Sequence, residues 1–231
     1  MKAVILAGGL GTRLKPFTEV IPKPLLPVGE KAILEIQIEQ LKDSGFNHII
    51  LATNYKSKYI EKFLGDGSDY GIKITVSKEE EPLGTVGPLS LIRDYLINEP
   101  FLVMNGDILT KCNFKKFFNF GNSVDADLTI GIKEYLTPFR FGNISFSGEY
   151  VNGIEEKPQI KTNILAGIYF MKPGIFNSIP SNQFFGMDDL INLMLKNKNN
   201  VGKYMINEYW LDIGVIDDYS DVEEAYSSHF K

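Results

Sequence analysis

A glycine-rich loop at residues 8–14, Gly-Gly-Leu-Gly-Thr-Arg-Leu, is the first candidate for chemistry, and it directly follows an apolar segment. Glycine lets a backbone turn sharply and bring its N–H groups close to a ligand, a geometry that suits a phosphate group. The loop lacks the Gly-Lys-Ser/Thr of a Walker A motif, and Leu14 stands where a dinucleotide fingerprint needs a small residue. A turn that merely connects two elements is the alternative, and the glycines alone do not decide between the two.

Two cations, Arg13 and Lys23, follow these glycines within a stretch marked by Pro16, Pro22 and Pro24. Proline restricts its own backbone and that of the residue before it, so Lys23 is predicted to adopt an extended geometry. A stiff loop can direct a lysine at a phosphate, whereas a lone arginine or lysine is more often a solvated surface residue. The glycines and the cations together favour a site for a phosphate-bearing ligand.

Two aspartates are candidates for a metal site. Asp107 follows the apolar run at 100–104, and Asp212 lies in a short apolar segment far along the chain. Magnesium prefers hard oxygen ligands and is often held by one or two carboxylates together with substrate phosphates. For Asp107, a role in a turn or at a helix N-terminus is an equally good explanation from the sequence alone.

The elements that must position these residues alternate in type. Apolar runs predict strands at 2–7, 48–53, 72–77 and 100–104, and helical spacing predicts helices at 32–44, 56–64 and 86–97. In the second of these helices, Tyr59, Ile60, Phe63 and Leu64 are predicted to face inward. Strand and helix in alternation predict a mainly parallel sheet, whose ligands bind at the carboxyl ends of the strands.

The second half of the chain has a different pattern. Residues 127–157 hold short alternating runs broken by glycines, which predicts antiparallel strands or hairpins. Another strand is predicted at 165–171, and helices at 187–197 and 217–228. No linker or repeat interrupts the sequence, so we expect a single domain over 1–231 with an inserted β region.

Composition excludes several classes of protein. The 231 residues are 44% hydrophobic and 23% charged, as in globular proteins, and no apolar run approaches the length of a membrane span. One cysteine excludes a disulfide framework and fits a cytoplasmic location. The net charge of −5 argues against a nucleic-acid binder. Residues 1–24 nevertheless hold four basic residues against one acidic residue, which suggests a pocket for a small anion.

The loop at 8–18, followed by Pro-Lys-Pro-Leu-Leu-Pro at 22–27, resembles the signature of the sugar-nucleotide pyrophosphorylases, nucleotidyltransferases that act on sugar 1-phosphates. Further motifs of that family recur in order at 65–68, 82–85, 105–107, 156–158, 166–169 and 210–214. The resemblance implies an α/β fold with a Rossmann-like mixed, mainly parallel sheet flanked by helices, and an antiparallel β insertion for the sugar site. Since 17 residues follow Gly214, we expect one catalytic domain without a C-terminal β-helix domain.

The resemblance also implies roles for individual residues. Arg13, Lys23 and Lys157 are the implied catalytic residues, the first two on the triphosphate and the third on the sugar phosphate, and Asp107 and Asp212 are the implied Mg²⁺ ligands. The implied nucleotide-binding residues are Leu6, Ala7, Gly8, Gly9, Gly11, Thr12, Glu79, Gly84 and Thr85. The implied sugar-phosphate-binding residues are Gly142, Glu156 and Lys157. The implied reaction joins an NTP and a sugar 1-phosphate into an NDP-sugar and pyrophosphate.

The base is expected to be read near Glu79. Guanine presents two neighbouring N–H donors, which suit a carboxylate, and residues 83–89 resemble the mannose-1-phosphate guanylyltransferase branch, so GTP is favoured. Uridylyl-, thymidylyl- and cytidylyltransferases remain alternatives, and a solvated acidic loop is the structural alternative for residues 79–81. Residues 105–110 and 208–214 are similar to guanylyltransferases that act on glucosamine 1-phosphate.

The sugar and the oligomeric state stay open. Many relatives carry asparagine where this chain has Leu165, so mannose, glucosamine and heptose 1-phosphates all remain candidate substrates, and Asn163 is a candidate substitute for that asparagine. A regulatory subunit that binds sugar nucleotides without turnover is the alternative from another class, although this chain keeps the cations and both aspartates. The sequence does not predict an oligomeric state.

Overall fold

The computed structural model describes residues 1–214 and 222–231. The predicted helix at 217–228 therefore falls partly outside the described residues. Within them, no helix is both long enough and apolar enough to cross a membrane.

The strands are β1 Lys2–Leu6, β2 Pro27–Val28, β3 Lys31–Ala32, β4 His48–Thr53, β5 Lys73–Lys78, β6 Phe101–Asn105, β7 Ile108–Thr110, β8 Leu128–Pro138, β9 Asn143–Ser147, β10 Tyr150–Glu155, β11 Gln159–Met171, β12 Val201–Met205 and β13 Trp210–Asp212. The α-helices are α1 Phe17–Val20, α2 Ile33–Asp43, α3 Ser57–Leu64, α4 Arg93–Leu96, α5 Phe114–Ser123, α6 Met187–Lys196 and α7 Val222–His229. Short 3₁₀ helices lie at Thr12–Leu14, Lys23–Leu25, Ser68–Tyr70, Gly87–Ile92 and Pro173–Asn177.

A seven-stranded sheet in the order β12-β8-β11-β6-β1-β4-β5 forms the centre of the molecule. The neighbouring pairs β6-β1, β1-β4, β4-β5 and β12-β8 are parallel, whereas β11 runs antiparallel to both β6 and β8. All six residues of β4 are buried, as expected of a parallel strand covered on both faces by helices. The prediction of a mixed, mainly parallel α/β sheet flanked by helices is confirmed.

Three central strands end at the same edge of this sheet because β1 is paired in parallel with both β4 and β6. Leu6, Ala52 and Asn105 are partners in register at that edge. The residues that follow the three strands therefore meet in space, although up to about a hundred positions separate them in the sequence.

The antiparallel insertion extends away from the sheet. The second half of β8 pairs with the first half of β11 from Ile132↔Leu165 to Pro138↔Gln159, and β9 and β10 form a hairpin between them. Every residue of β9 is exposed, so this insertion adds surface and little core. The expected strand at 165–171 is the inner half of a longer strand.

One detail of the predicted core is wrong. In α3, Ile60 and Leu64 are buried, but Tyr59 is 57% and Phe63 46% exposed. A helix of 8 residues packed by one stripe buries positions four apart, so the two rings beside that stripe remain in solvent. The predicted helix at 86–97 is a 3₁₀ segment followed by the short α4, with Pro88 in its first turn.

Candidate active site

A cleft of about 370 Å³ opens where β1, β4 and β6 end. Its lining comprises Leu6, Gly8, Gly9, Leu10, Ala52, Asn54, Glu79, Pro82, Gly84, Thr85, Pro88, Asn105, Asp107 and Phe184. Seven of the predicted site residues are in this set: Leu6, Gly8, Gly9, Glu79, Gly84, Thr85 and Asp107. The cleft lies at the sheet edge where an α/β fold binds its ligands.

Close contacts at two glycines fix the path of the glycine loop. A Cβ added to Gly8 would lie 3.0 Å from Glu79 Oε1 and 3.3 Å from the backbone nitrogen of Asn54, so a larger residue there would narrow the cleft. Gly11 has a φ of +60°, and a Cβ there would lie 2.7 Å from Thr18 Cγ2 and 3.3 Å from Lys23 Cβ. Gly11 therefore lets the loop fold back onto the segment that carries Lys23.

Three further predicted site residues belong to this loop but are not in the cleft lining. Ala7 is buried and donates its N–H to the carbonyl of Ala52 at 2.8 Å, which fixes the start of the loop against β4. Thr12 and Arg13 form an exposed 3₁₀ turn, and the described residues give Arg13 no ion pair. The Arg13 guanidinium is thus available to a ligand.

Lys23 and Asp107 form an ion pair beside the cleft, with 2.5 Å between Lys23 Nζ and Asp107 Oδ2. Lys23 is only 9% exposed, but it begins the 3₁₀ helix Lys23–Leu25, so the predicted extended geometry is wrong: the turn through Pro24 closes into a helical one. The other carboxylate oxygen, Asp107 Oδ1, is buried and finds no hydrogen-bond partner among the described residues. A buried, unpaired carboxylate oxygen is costly unless a cation or a hydrogen-bond donor binds it.

The turn that carries Asp107 is fixed from several sides. Gln37, buried in α2, donates its side-chain amide to the carbonyls of Asn105 at 3.0 Å and Ile108 at 2.8 Å. A Cβ on Gly106 would lie 2.9 Å from the carbonyl oxygen of Leu6, so the turn packs directly on the end of β1. Local sequence gave no signal for Gln37, because its role depends on α2 packing against this turn.

Asp212 comes close to Asp107 through strand pairing. β13 runs antiparallel to β7 with Asp212 opposite Ile108, and Ile213 donates its N–H to the Asp107 carbonyl at 3.0 Å. Two residues from distant segments thus have neighbouring backbones, and the hard oxygens of their carboxylates are of the kind that Mg²⁺ prefers. The described residues contain no group of three or more potential metal-ligating side chains. This arrangement fits a metal that draws its remaining ligands from phosphates and water.

Glu79 forms the inner wall of the cleft. It is 6% exposed, and its Oε2 accepts the N–H of Leu83 at 2.9 Å. Burial raises the pKa of the Glu79 carboxyl, and the Leu83 hydrogen bond offsets part of that rise. Glu80 and Glu81 are exposed, so a solvated acidic loop describes them but not Glu79.

The outer wall is formed by the loop before α6. Thr85 Oγ1 accepts the N–H of Met187 at 2.8 Å, and a Cβ on Gly84 would lie 2.8 Å from the Phe185 carbonyl oxygen. This contact places Phe184, an exposed ring, over the cleft. Sequence reasoning missed Phe184 and Asn54; the position of Asn54 directly after a predicted strand was the available signal.

The predicted sugar-phosphate residues lie outside the cleft lining, at the base of the hairpin. Gly142 precedes β9, and Glu156 and Lys157 follow β10. A Cβ on Gly142 would lie 3.1 Å from Glu156 Oε2, so these two residues are neighbours. Lys157 has a φ of +48°, a conformation that non-glycine residues rarely adopt and that is enriched at functional sites. Leu165, on β11, is exposed.

Two relatives are similar in sequence to nearly all of this chain. The chain is 34% identical over 95% of its length to the mannose-1-phosphate guanylyltransferase catalytic subunit beta of Danio rerio. It is also 34% identical over 95% of its length to a mannose-1-phosphate guanyltransferase of Schizosaccharomyces pombe. The chain spans 62% of the length of each of these two proteins.

Solved structures share the fold of this chain. The crystal structure of HddC from Yersinia pseudotuberculosis superposes with a TM-score of 0.77 at 33% identity, covering 97% of this chain and 99% of that one. A second HddC structure, in complex with GMP-PN, matches at 32% identity with the same TM-score. The sequence model of the nucleotidyl transferase family matches residues 2–229. Because that match covers nearly all of the chain, this protein belongs to the nucleotidyl transferase family.

Proposed function

We propose that this protein transfers a guanylyl group from GTP to a sugar 1-phosphate, releasing pyrophosphate and forming a GDP-sugar. One observation carries the proposal: the Lys23–Asp107 ion pair, with its unpaired carboxylate oxygen, lies on the same cleft as a glycine loop and a buried carboxylate. Cations and a metal ligand at one end of the cleft suit a triphosphate, and Glu79 in its wall suits a base. The names of the relatives support the same reaction.

No general base is required for this reaction. The nucleophile is an oxygen of the sugar phosphate, and a phosphate monoester is mostly ionised at neutral pH because its second pKa is about 6. The two histidines are poorly placed for such a role: His48 is buried in β4 and hydrogen-bonds Thr75 at 2.9 Å, and His229 ends α7. Catalysis then depends on positioning two anions and offsetting their charge.

The chain supplies those cations from both sides of the reacting bond. Lys23 and Arg13 neutralise the α-phosphate and the departing pyrophosphate, while Lys157 holds the attacking phosphate in line. An O–P bond forms between the sugar phosphate and the α-phosphorus as the bond to the β-phosphate oxygen breaks, and the leaving pyrophosphate takes the electron pair. Asp107 and Asp212 would hold Mg²⁺, which when bound stabilises charge on the phosphate oxygens.

GTP is favoured because of the chemistry of Glu79. An ionised carboxylate accepts hydrogen bonds and donates none, so it suits the N1–H and the exocyclic amine of guanine. Uracil and thymine present carbonyl oxygens on either side of one N–H, and a carboxylate repels those oxygens. The complex of HddC with GMP-PN, a neighbour of the same fold, supports guanine nucleotide binding.

The sugar is expected to lie at the base of the hairpin. Gly142 offers its backbone, Glu156 offers a carboxylate for sugar hydroxyls, and Lys157 faces the phosphate. The Leu165 side chain on the nearby strand offers no hydrogen bond, so this position does not select one sugar among those of the relatives. Mannose, glucosamine and heptose 1-phosphates are the candidates, of which mannose 1-phosphate has the support of the relatives' names.

Pyrophosphate release tests the proposal. The purified chain with Mg²⁺ should release pyrophosphate from GTP, and more slowly from UTP, dTTP and CTP, when one of the three sugar 1-phosphates is present. A clear preference for UTP would reject the guanylyl assignment. Tight nucleotide binding without release from any pair would instead favour a non-catalytic, regulatory subunit.

A further inference from the structure

Asn54 occupies a fixed position in the wall of the cleft. It follows β4 directly, and the backbone before it is held on both sides: Ala7 donates to the carbonyl of Ala52 at 2.8 Å, and Glu79 donates to the carbonyl of Thr53 at 2.8 Å. The Thr53 hydroxyl also donates to the Ser77 carbonyl at 2.9 Å. These bonds fix the backbone position from which the Asn54 side chain enters the cleft lining.

The Asn54 amide nitrogen has an unmet hydrogen-bonding capacity. Asn54 Nδ2 is buried and has no hydrogen-bond partner among the described residues. An amide nitrogen carries two donors, and burying it unpaired is unfavourable. Because Asn54 lines the cleft, this unpaired donor indicates an acceptor on a ligand. A rotation about one side-chain bond would bring the donor to that acceptor.

Asn54 and Glu79 lie side by side. A Cβ placed on Gly8 would lie 3.4 Å from Asn54 Cβ and 3.0 Å from Glu79 Oε1, so both side chains flank the same glycine. Glu79 presents acceptors and Asn54 presents an unpaired donor. The cleft wall thus offers acceptor and donor groups next to one another.

We infer that Asn54 is a second base-reading residue, which donates to O6 of guanine while Glu79 accepts from N1–H and the exocyclic amine. This inference rests on the proposed use of GTP and adds to it a residue and an atom. On guanine's Watson–Crick edge the two donors are followed directly by an acceptor, the complement of this pair. Adenine carries an amine at position 6 and an acceptor at N1, so it opposes both side chains.

Nucleotide analogues separate the two contacts. Inosine triphosphate keeps O6 and N1–H but lacks the exocyclic amine, whereas 2-aminopurine riboside triphosphate keeps the amine and lacks O6 and N1–H. Calorimetric titration with the Mg²⁺ complexes of GTP, inosine triphosphate and 2-aminopurine riboside triphosphate gives the three affinities. The first measurement, on the unaltered chain, compares GTP with UTP.

Asn54→Ala should weaken binding of GTP and inosine triphosphate by the same factor, about 10-fold for a lost hydrogen bond, and leave the 2-aminopurine nucleotide unchanged. Asn54→Asp, of the same shape, should weaken GTP further because its charge repels O6. Glu79→Gln should weaken GTP more than inosine triphosphate. Asn200→Ala, on the surface away from the cleft, is the matched control, and thermal melting verifies that each variant folds.

Two outcomes would overturn the inference. Equal weakening of all three purine nucleotides by Asn54→Ala would mean that Asn54 only shapes the loop, and no weakening of GTP would mean that it does not contact the base. If the unaltered chain instead prefers UTP to GTP, the proposed guanylyl transfer fails at that first step. The failure of the proposed function is therefore distinguishable from a failure of the Asn54 assignment.

Discussion

Lys23 and Asp107, 84 positions apart in the sequence, share one hydrogen bond of 2.5 Å beside the cleft that Asp107 lines. The lysine neutralises one oxygen of the carboxylate and leaves the buried second oxygen for another cation. The pair thus joins the proposed phosphate-binding lysine to the proposed metal ligand. A change in either residue is expected to affect the other.

Asp107→Asn should abolish turnover. The amide keeps the shape of the side chain but loses the charge that holds Lys23 and attracts Mg²⁺. We expect pyrophosphate release to fall by at least about 100-fold, the typical cost of a lost electrostatic contact to reacting phosphates. Steady-state assays across a Mg²⁺ titration measure this, with the exposed Asp125→Asn as the control. Near-normal turnover at saturating Mg²⁺ would refute the assignment.

Lys23→Ala and Arg13→Ala should each lower kcat strongly. Both cations are proposed to stabilise charge that grows on the departing pyrophosphate, so their loss affects the transition state more than the bound substrate. We expect decreases in kcat of about 100-fold with smaller changes in KM. Lys15→Ala is the matched control, because Lys15 is exposed on the same loop and pairs with Glu19 at 3.4 Å. A rise in KM at unchanged kcat would contradict this role.

Lys56 is expected to position the cationic loop. Its Nζ donates to the carbonyls of Glu19 at 2.5 Å and Thr18 at 3.2 Å, in the segment between Arg13 and Lys23. Lys56→Met should lower kcat about 10-fold, because a loop shifted by less than the 1 Å that costs about 100-fold still misplaces its cations. Lys56→Arg should restore most of the activity. Equal loss in both variants would mean that Lys56 does not act by holding the loop.

The ionisation of Glu79 is expected to make the stability of the fold depend on pH. Burial raises the pKa of its carboxyl in the folded chain, so between the usual pKa of about 4.3 and the raised value the folded chain holds more protons than the unfolded one. Stability is therefore lost as the pH rises through that window. Glu79→Gln, which cannot ionise and keeps an oxygen for the Leu83 N–H, should raise Tm at pH 7 relative to the parent and not at pH 4.

Melting curves of parent and variant at both pH values measure this difference, and the exposed Glu80→Gln is the control. The same Glu79 variant should bind GTP more weakly, so stability and function would change in opposite directions. A variant no more stable than the parent at pH 7 would show that ionising Glu79 costs the fold nothing.

The sequence predicted the parts of this structure that depend on local chemistry. Continuous apolar runs identified β1, β4 and β6, because parallel strands are buried on both faces. The prediction that Tyr59 faces inward was wrong. The element packed against a helix decides which residues beside its apolar stripe are buried, and the local sequence does not show that element. Asn54 and Phe184 were missed because their roles arise from pairing and loop contacts across the fold. Asp107 and Asp212 were paired through the family resemblance, since the register of β7 with β13 is not encoded locally.

Tyr226 should link the C-terminal helix to catalysis. Its ring packs against Gly29, where an added Cβ would come within 2.2 Å of it, and it belongs to a buried cluster that also contains Leu14, Leu26 and Ile213. Leu14 follows Arg13, and Ile213 follows Asp212. Tyr226→Ala should therefore destabilise the fold by about 3 kcal/mol, as truncation of a buried aromatic does, and also lower kcat.

Urea unfolding and steady-state kinetics measure these two effects, and Tyr226→Phe, which keeps the packed ring, should leave both near the parent values. The kinetic measurement is made well below the urea midpoint, so that the population compared is folded. If Tyr226→Ala lost stability while its kcat stayed at the parent value, the cluster would stabilise the chain without positioning Arg13 and Asp212. A loss of kcat in the folded population would place the helix among the elements that hold the site in its active geometry.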